Sequence, residues 1–194
     1  VGGYENDSKG GLLHVANHHV SPGKKQWTWG NGDFGQAWDR NLTDNDGPYI
    51  ELMCGVYTDN QPDFSWLQPY EEKSFKQYFM PYYNVGVVKN ASKEALINLE
   101  EEQDGFRIKV HVTSVYPKAT VVLTSEENVL FETEIDLDPA NGLEELVEKN
   151  GADYKNLRLT VKTEKGKTLV SWSPSDDEEG EIPEAAKAAK EPKA

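Results

Sequence analysis

The chain has 194 residues and a formal net charge of −14, from 34 acidic and 20 basic side chains. This charge argues against nucleic acids and membranes as partners, because phosphate backbones and anionic lipids repel an acidic surface. The single cysteine, Cys54, excludes an intramolecular disulfide framework and a cysteine-based zinc site. No apolar run is long enough to span a membrane. The sequence shows no signal-peptide pattern, so the compartment stays open, with the cytoplasm as the first expectation.

The front of the chain, residues 1–88, is rich in aromatic side chains. Fifteen of the 20 aromatic residues lie at or before Tyr83. The best strand candidates are Lys25–Gly30, Tyr49–Gly55 and Lys73–Tyr83, which are separated by loops of Gly, Asn and Asp. We therefore expect an irregular, mostly β domain here.

The rear of the chain, residues 89–173, alternates apolar and polar residues with a period of two. This alternation predicts six strands, at 95–99, 106–112, 120–123, 129–137, 157–161 and 169–172. Turn signals separate them at the spacing typical of an immunoglobulin-like antiparallel β-sandwich, here of six or seven strands. The chain as a whole is therefore predicted to be all-β.

Two further segments complete the rear of the chain. A short helix is predicted over Leu143–Lys149, because Leu143, Leu146 and Val147 share one helical face and Asn150-Gly151 would end it. Residues 174–194 begin acidic and become rich in Ala and Lys, which predicts a solvated linker.

The first candidate site lies between Trp27 and Asn41. Aromatic planes beside amide and guanidinium groups suit a sugar, whose C–H face stacks on a ring while its hydroxyls form hydrogen bonds. The alternative is that the rings are core, since Trp buries a large apolar surface. Core is favoured for Trp27 and Trp29, whereas Trp38 is expected in a polar loop, where sugar binding is favoured. Arg40 and Asn41 would supply the hydrogen bonds.

The second candidate site is Glu51, which lies between apolar residues in a predicted strand. A carboxylate in such a strand costs free energy unless it is paired or functional. Glu51 is therefore a candidate general base. The alternative is a structural ion pair with Arg40 or Lys25.

Two other segments carry polar candidates. The loop after Tyr57 contains Asp59, Asn60 and Gln61 and ends near Trp66, a composition common in binding loops; the alternative is a solvated turn with one anchored Trp. His18 and His19 are adjacent, so on a strand they would face opposite ways and could not share a metal ion.

We therefore expect no metal site at the histidine pair. We expect no cofactor either, because the sequence has no Gly-rich phosphate loop. His18 is instead a candidate contact to substrate. His19 is a candidate acid, because the pKa of a histidine lies near working pH.

Three stretches resemble a known family. HHVSPGKKQWTWG (18–30), AWDRNLTD (37–44) and GPYIELMCGVYTDNQPDFSWL (47–67) are similar to a bacterial domain family of unknown function. That family precedes tetratricopeptide repeats in large proteins linked to carbohydrate use. The Ala/Lys tail resembles the join to such repeats.

This family in turn resembles the galactose-mutarotase superfamily, whose fold is a β-supersandwich. Ile50-Glu51-Leu52, Asn60-Gln61-Pro62-Asp63 and Leu67-Gln68-Pro69-Tyr70-Glu71 are similar to the mutarotase stretch Glu-Thr-Gln, Pro-Asp-Ala, Leu-x-Pro-Gly-Glu. The resemblance implies that Glu51 is the catalytic base and that residues 1–88 are the C-terminal part of a supersandwich. The sequence departs from the pattern at Tyr70, where a turn Gly is usual, and lacks a histidine segment at the usual distance upstream.

These observations predict a carbohydrate-binding or carbohydrate-processing domain of a larger bacterial protein, and they leave open whether it is an enzyme. The alternative is a non-catalytic structural or interaction module that scaffolds tetratricopeptide repeats. The expected partners are a carbohydrate ligand and either a second copy of the chain or the remaining domains of the same protein.

Overall fold

The computed structural model describes residues 1–45, 47–58 and 64–177. Strands pair antiparallel wherever their register is defined, and there is one α-helix, α1, at Asp33–Leu42, among the described residues. The strands are β1 Gly2–Glu5, β2 Gly10–Ala16, β3 Gly23–Thr28, β4 Ile50–Gly55, β5 Gln77–Tyr83, β6 Asn90–Ala91, β7 Ala95–Glu101, β8 Phe106–Val112, β9 Tyr116–Ser125, β10 Asn128–Leu137, β11 Leu143–Val147, β12 Leu157–Lys162 and β13 Thr168–Trp172. The all-β prediction is therefore confirmed.

The strands form four sheets, with orders β1-β2-β5, β3-β4, β10-β9-β12-β13 and β11-β8-β7-β6. The strands of each sheet either all precede Lys89 in the sequence or all follow it. The chain also divides into two compact units. The first contains Val1–Gly3 and Leu13–Phe79, and the second contains Tyr4–Leu12 and residues 80–177 of the described chain. No described helix is both long and apolar enough to cross a membrane.

Two four-stranded sheets of the second unit share one hydrophobic core. Alternate residues of β8, from Phe106 to Val112, are at most 2 % exposed, and the alternate residues of β9 and β12 that face them are equally buried. The period-two pattern that predicted these strands is thus the pattern of core contacts. All six predicted strands are present, and β9 begins earlier than predicted, at Tyr116.

The predicted helix over Leu143–Lys149 is wrong, because Leu143–Val147 is the strand β11. It pairs antiparallel with β8, from Leu143 opposite Val110 to Val147 opposite Phe106. Leu143 and Val147 are both buried, and their spacing of four fits a helix as well as the same face of a strand. Without β11, one edge of β8 would have unpaired backbone groups. The segment is a strand because it forms hydrogen bonds with these groups.

In the first unit, the antiparallel pair β3-β4 and helix α1 hold the candidate site. Trp27 lies opposite Glu51 in this pair, and Lys25 lies opposite Met53. The predicted strand at Lys25–Gly30 occurs as β3 but starts and ends two residues earlier. The segment expected as a polar loop around Trp38 is instead the helix, so that expectation is wrong.

Candidate functional site

Four aromatic rings gather where the end of β3 meets α1. The Trp38 indole stacks on Trp29 with centroids 4.7 Å apart and an interplanar angle of 11°. Trp27 contacts Trp29 edge-on, with ring centroids 4.6 Å apart. Phe34 lies edge-on to both Trp29 and Trp38, at 6.0 and 6.4 Å. We call these four residues the aromatic cluster.

Spacing along the chain brings the four rings together. Trp27 and Trp29 are two residues apart at the end of a strand, so they leave it on the same side. Phe34 and Trp38 are four apart on α1 and share one helical face. Gly35 lies between them, and a Cβ at this position would collide with the carbonyl oxygen of Gly30. The glycine therefore allows the helix to approach the chain that follows β3.

The aromatic cluster is only partly buried. Trp38 is 38 % exposed and Phe34 is 68 % exposed, whereas Trp27 and Trp29 are half-buried. The indole Nε1 of Trp29 is buried and has no hydrogen-bond partner among the described residues. A pure core would bury these rings fully, so the cluster has both a core part and a surface part.

Glu51 lies beside the aromatic cluster, directly opposite Trp27 on the neighbouring strand. Its Oε1 accepts a hydrogen bond from the Tyr49 hydroxyl at 3.2 Å. This hydrogen bond and the carboxylate charge raise the pKa of Tyr49, because both favour the protonated phenol. Glu51 is half-buried, so it is neither sealed in a core nor free in solvent.

A shallow polar cleft of about 380 Å³ lies along α1. The residues Gln36, Asp39, Arg40 and Thr43 of its lining follow helical spacing and share one face. Asp39 Oδ1 accepts a hydrogen bond from the backbone N–H of Tyr49 at 3.1 Å, which joins this cleft to the strand that carries Glu51. The Thr43 hydroxyl donates to the Gly47 carbonyl at 2.7 Å and holds the following loop.

The structure brings together some of the predicted site residues. Trp29 and Trp38 are in contact, Glu51 lies opposite Trp27, and Arg40 lines the cleft on the same helix as Trp38. The structural alternative for Glu51 was an ion pair with Arg40 or Lys25, and the pair with Arg40 does not occur among the ion pairs of the described residues.

Other predicted site residues lie elsewhere or outside the described residues. Asn41 is exposed on α1. Trp66 is 37 % exposed and contacts Phe64 edge-on at 5.3 Å, in a segment without regular secondary structure. Asp59, Asn60 and Gln61 fall outside the described residues.

The histidine pair lies outside the strands, so the argument from strand geometry does not apply to it. His18 and His19 are exposed in a turn, with ring centroids 3.8 Å apart. The Asn17 side chain fixes this turn by accepting a hydrogen bond from the backbone N–H of His19 at 2.9 Å. No hydrogen bond or ring contact among residues 1–45, 47–58 and 64–177 joins either histidine to Glu51.

Sequence reasoning missed two contributors to the site. From the sequence, Tyr49 is indicated only as the start of a strand, and Gln36 carries no signal of its own. The spacing of Gln36, Asp39, Arg40 and Thr43 at intervals of three and four is the signal that identifies their common helical face. Within the described residues, no group of three or more His, Cys, Asp and Glu side chains is placed to hold a metal ion.

Family comparisons divide the chain at nearly the same place as its sheets. Residues 1–86 match the family model of a domain of unknown function, DUF5107. Residues 90–172 match the family model of the second domain of YphG-like proteins. No solved structure matches the chain. The matches support the resemblance to a domain family of unknown function.

Proposed function

We propose that the first unit is a carbohydrate-binding domain of a larger protein, and that it binds its ligand at helix α1, which presents Trp38 on one face and lines the polar cleft with another. One observation carries the proposal: Trp38, a residue that is 38 % exposed, is held with its indole flat against a second indole, on the helix whose other face lines the cleft. A ring held in this way loses little conformational entropy when a ligand stacks on it.

The chemistry of the cleft supports a polyhydroxylated ligand. Gln36 offers both a donor and an acceptor, Asp39 offers carboxylate oxygens, and Arg40 offers a planar fork of donors. Sugar hydroxyls both donate and accept, so they match this mixture. Binding sites that combine an apolar surface with a few fixed polar groups commonly recognise small molecules.

Catalysis would require Glu51, and the mutarotase resemblance motivates this finer part of the proposal. The Glu51 carboxylate would take the proton from the anomeric hydroxyl, and an acid would protonate the ring oxygen as the ring opens. General acid–base help of this kind contributes roughly 10²–10⁴-fold. Tyr49, whose hydroxyl contacts Glu51 at 3.2 Å, would hold the carboxylate in place. For His19, the candidate acid, no contact with Glu51 occurs among the described residues.

The experiment compares sugar binding by matched variants. A panel of neutral mono- and oligosaccharides is titrated into the 194-residue chain by calorimetry. We expect Trp38→Ala to weaken binding about tenfold or more, which corresponds to a loss of ~1.4 kcal/mol. Trp66→Ala is the matched comparison, because Trp66 has nearly the same exposure, 37 % against 38 %. If Trp66→Ala weakens sugar binding as much as Trp38→Ala does, the ligand does not bind specifically on α1.

A second candidate function is protein interaction, and residues 64–76 favour it. This segment exposes Phe64, Leu67, Tyr70 and Phe75, each at least 46 % exposed. A cluster of exposed apolar side chains commonly marks a protein-binding surface. Binding of repeat-containing segments of the same protein that is lost on Leu67→Asp and kept in Trp38→Ala would favour this second function.

A further inference from the structure

The second unit contains a pocket of its own, of about 260 Å³, on the outer face of the sheet β11-β8-β7-β6. Its two walls are the turn at Tyr83 and Asn84 and the loop that leads from Pro139 into β11. His111 of β8 lines it, pointing away from the core that Val110 and Val112 enter. We call this the β11 pocket.

One wall of the β11 pocket is a preformed loop. Asp138 Oδ1 accepts hydrogen bonds from the backbone N–H groups of Ala140 and Asn141, at 2.7 and 2.9 Å. Its Oδ2 accepts from the Asn141 side-chain Nδ2 at 2.9 Å. The hydrogen bond from the Asn141 side chain and the two backbone hydrogen bonds lower the pKa of the Asp138 carboxyl. Gly142 brings this loop close to β8, because a Cβ there would collide with the Val110 carbonyl oxygen.

The other wall is held by the Asn84 side chain. Asn84 has a positive φ of 58° and donates from Nδ2 to Glu144 Oε2 at 2.9 Å. Glu144 Oε1 lies 3.5 Å from the Lys109 ammonium and 3.9 Å from the Arg107 guanidinium. The negative charge of Glu144 is therefore already offset by two cations on β8.

The polar groups of the β11 pocket both donate and accept hydrogen bonds. Asn84 and Asn141 each use their amide nitrogen within the protein, which leaves their amide oxygens as acceptors. The His111 residue is only 7 % exposed, and this burial lowers the pKa of its imidazole. A neutral imidazole offers one donor and one acceptor. Tyr83, which is 58 % exposed, adds an aromatic ring at the wall.

We infer that the β11 pocket binds a single ring of a neutral, polyhydroxylated ligand, such as one monosaccharide unit. A cation is disfavoured because Lys109 and Arg107 already pair with Glu144. An anion is disfavoured because no Lys or Arg is among the described residues that line the pocket, and the chain carries a net charge of −14. Hydroxyl groups match amide oxygens, a carboxylate and an imidazole. The inference does not rest on the function proposed for the first unit.

The test uses the 194-residue chain with D-glucose, D-galactose, D-mannose and D-xylose as separate probes. NMR signals of the His111 ring and of the Asn84 and Asn141 side-chain amides report on the β11 pocket. At sugar concentrations of ~10 mM or more, which would load a site of millimolar affinity, we expect these signals to shift for at least one probe. Signals of the Trp38 indole in the same spectra report on the first unit separately.

Three variants decide whether the shifts come from the pocket. Glu144→Gln removes a charged acceptor and is expected to weaken binding about five- to tenfold. Asn84→Gly keeps the positive φ that glycine tolerates and removes the amide, and it should weaken binding similarly. Glu148→Gln, an equal change of charge at an exposed residue outside the pocket, should leave binding unchanged.

Several results would overturn the inference. One is that none of the four sugars shifts the pocket signals. Another is that Glu144→Gln and Asn84→Gly bind the sugar as well as the original chain does. A third is that inorganic phosphate shifts the pocket signals and the neutral sugars do not.

Discussion

The indole of Trp38 lies stacked on that of Trp29, with centroids 4.7 Å apart and planes within 11° of parallel. Trp29 reaches this position from the end of β3, and Trp38 reaches it from α1. The contact holds a partly exposed ring on the same helix as the polar cleft. The helix must come close to β3 for this to happen, and Gly35 is the residue that allows it.

The first prediction concerns Gly35. Gly35→Ala places a Cβ against the Gly30 carbonyl oxygen, so the helix must shift, and we expect a loss of ~1–3 kcal/mol in the free energy of unfolding. Urea unfolding followed by tryptophan fluorescence measures it. Asn41→Ala, an exposed position on the same helix, is the control and should cost less than about 0.5 kcal/mol. Equal stability of Gly35→Ala and the original chain would contradict the close approach of α1.

The second prediction concerns Tyr49 and Glu51. Glu51→Gln removes the carboxylate charge that, with its hydrogen bond, raises the pKa of Tyr49, so that pKa should fall toward its usual value of 10.0. NMR titration of ¹³C-labelled tyrosine rings follows the change. Tyr83, which is exposed and lies outside the site, serves as the internal reference. An unchanged Tyr49 titration would show that the hydroxyl does not bond to Glu51.

The same Glu51→Gln variant tests the catalytic part of the proposal, in the full-length protein. The substitution keeps the side-chain shape and removes the base. It should abolish any anomerase or glycoside-cleaving activity and leave sugar binding largely intact. A variant that turns over sugar at the original rate would exclude Glu51 as the base.

The third prediction concerns acid stability through His14. This residue is 2 % exposed, and neither ring nitrogen has a hydrogen-bond partner in the part of the chain that the structure describes. Burial, and then the charge of Lys24, lower its pKa below the usual 6.5. The unfolded chain therefore binds a proton more readily than the folded chain, and stability is lost as the pH falls below about 6.5.

The variant that tests His14 is His14→Phe, which cannot be protonated and retains contact with Phe79. The His14 ring lies 5.1 Å from the Phe79 ring. Urea unfolding of the first unit between about pH 8 and pH 5 should show a smaller acid loss in the variant than in the original chain. His19→Phe, at an exposed position, should leave the pH profile unchanged. Identical profiles for His14→Phe and the original chain would contradict the burial of a neutral His14.

The fourth prediction concerns the core of the second unit. Leu123 of β9 is fully buried between the two sheets, so Leu123→Ala should cost ~2–5 kcal/mol in the free energy of unfolding. Thermal unfolding by circular dichroism compares it with Val129→Ala. Val129 is 56 % exposed on β10, so that change should cost less than about 1 kcal/mol. A small cost at Leu123 would contradict a shared core.

The sequence predicted the second unit better than the first because alternation and burial coincide there. Phe106, Ile108, Val110 and Val112 are all buried, as their period of two indicates. Helix α1 was not predicted, since Asn31-Gly32-Asp33 resembles a loop and Gly35 weakens helix propensity. The sequence of β11 predicts a helix, and the segment is a strand because it pairs with the open edge of β8, a tertiary feature.

The candidate site was predictable in its residues and not in its arrangement. Trp29, Trp38, Arg40 and Glu51 could be selected from their chemical types alone. The stack of Trp38 on Trp29 depends on a glycine three positions before Trp38, and sequence patterns gave no reason to connect the two. The turn at His18 and His19 depends on the Asn17 side chain, which local patterning did not reveal.

The most direct test of sugar binding on Trp38 follows the indole N–H signals of the five tryptophans by NMR during titration with the neutral saccharide panel. The account predicts that the Trp38 signal shifts most, that the Trp29 signal follows through the stacked pair, and that the signal of Trp172, buried in the second unit, does not move. An unmoved Trp38 signal at saturating concentrations of a saccharide that the chain binds would contradict the account.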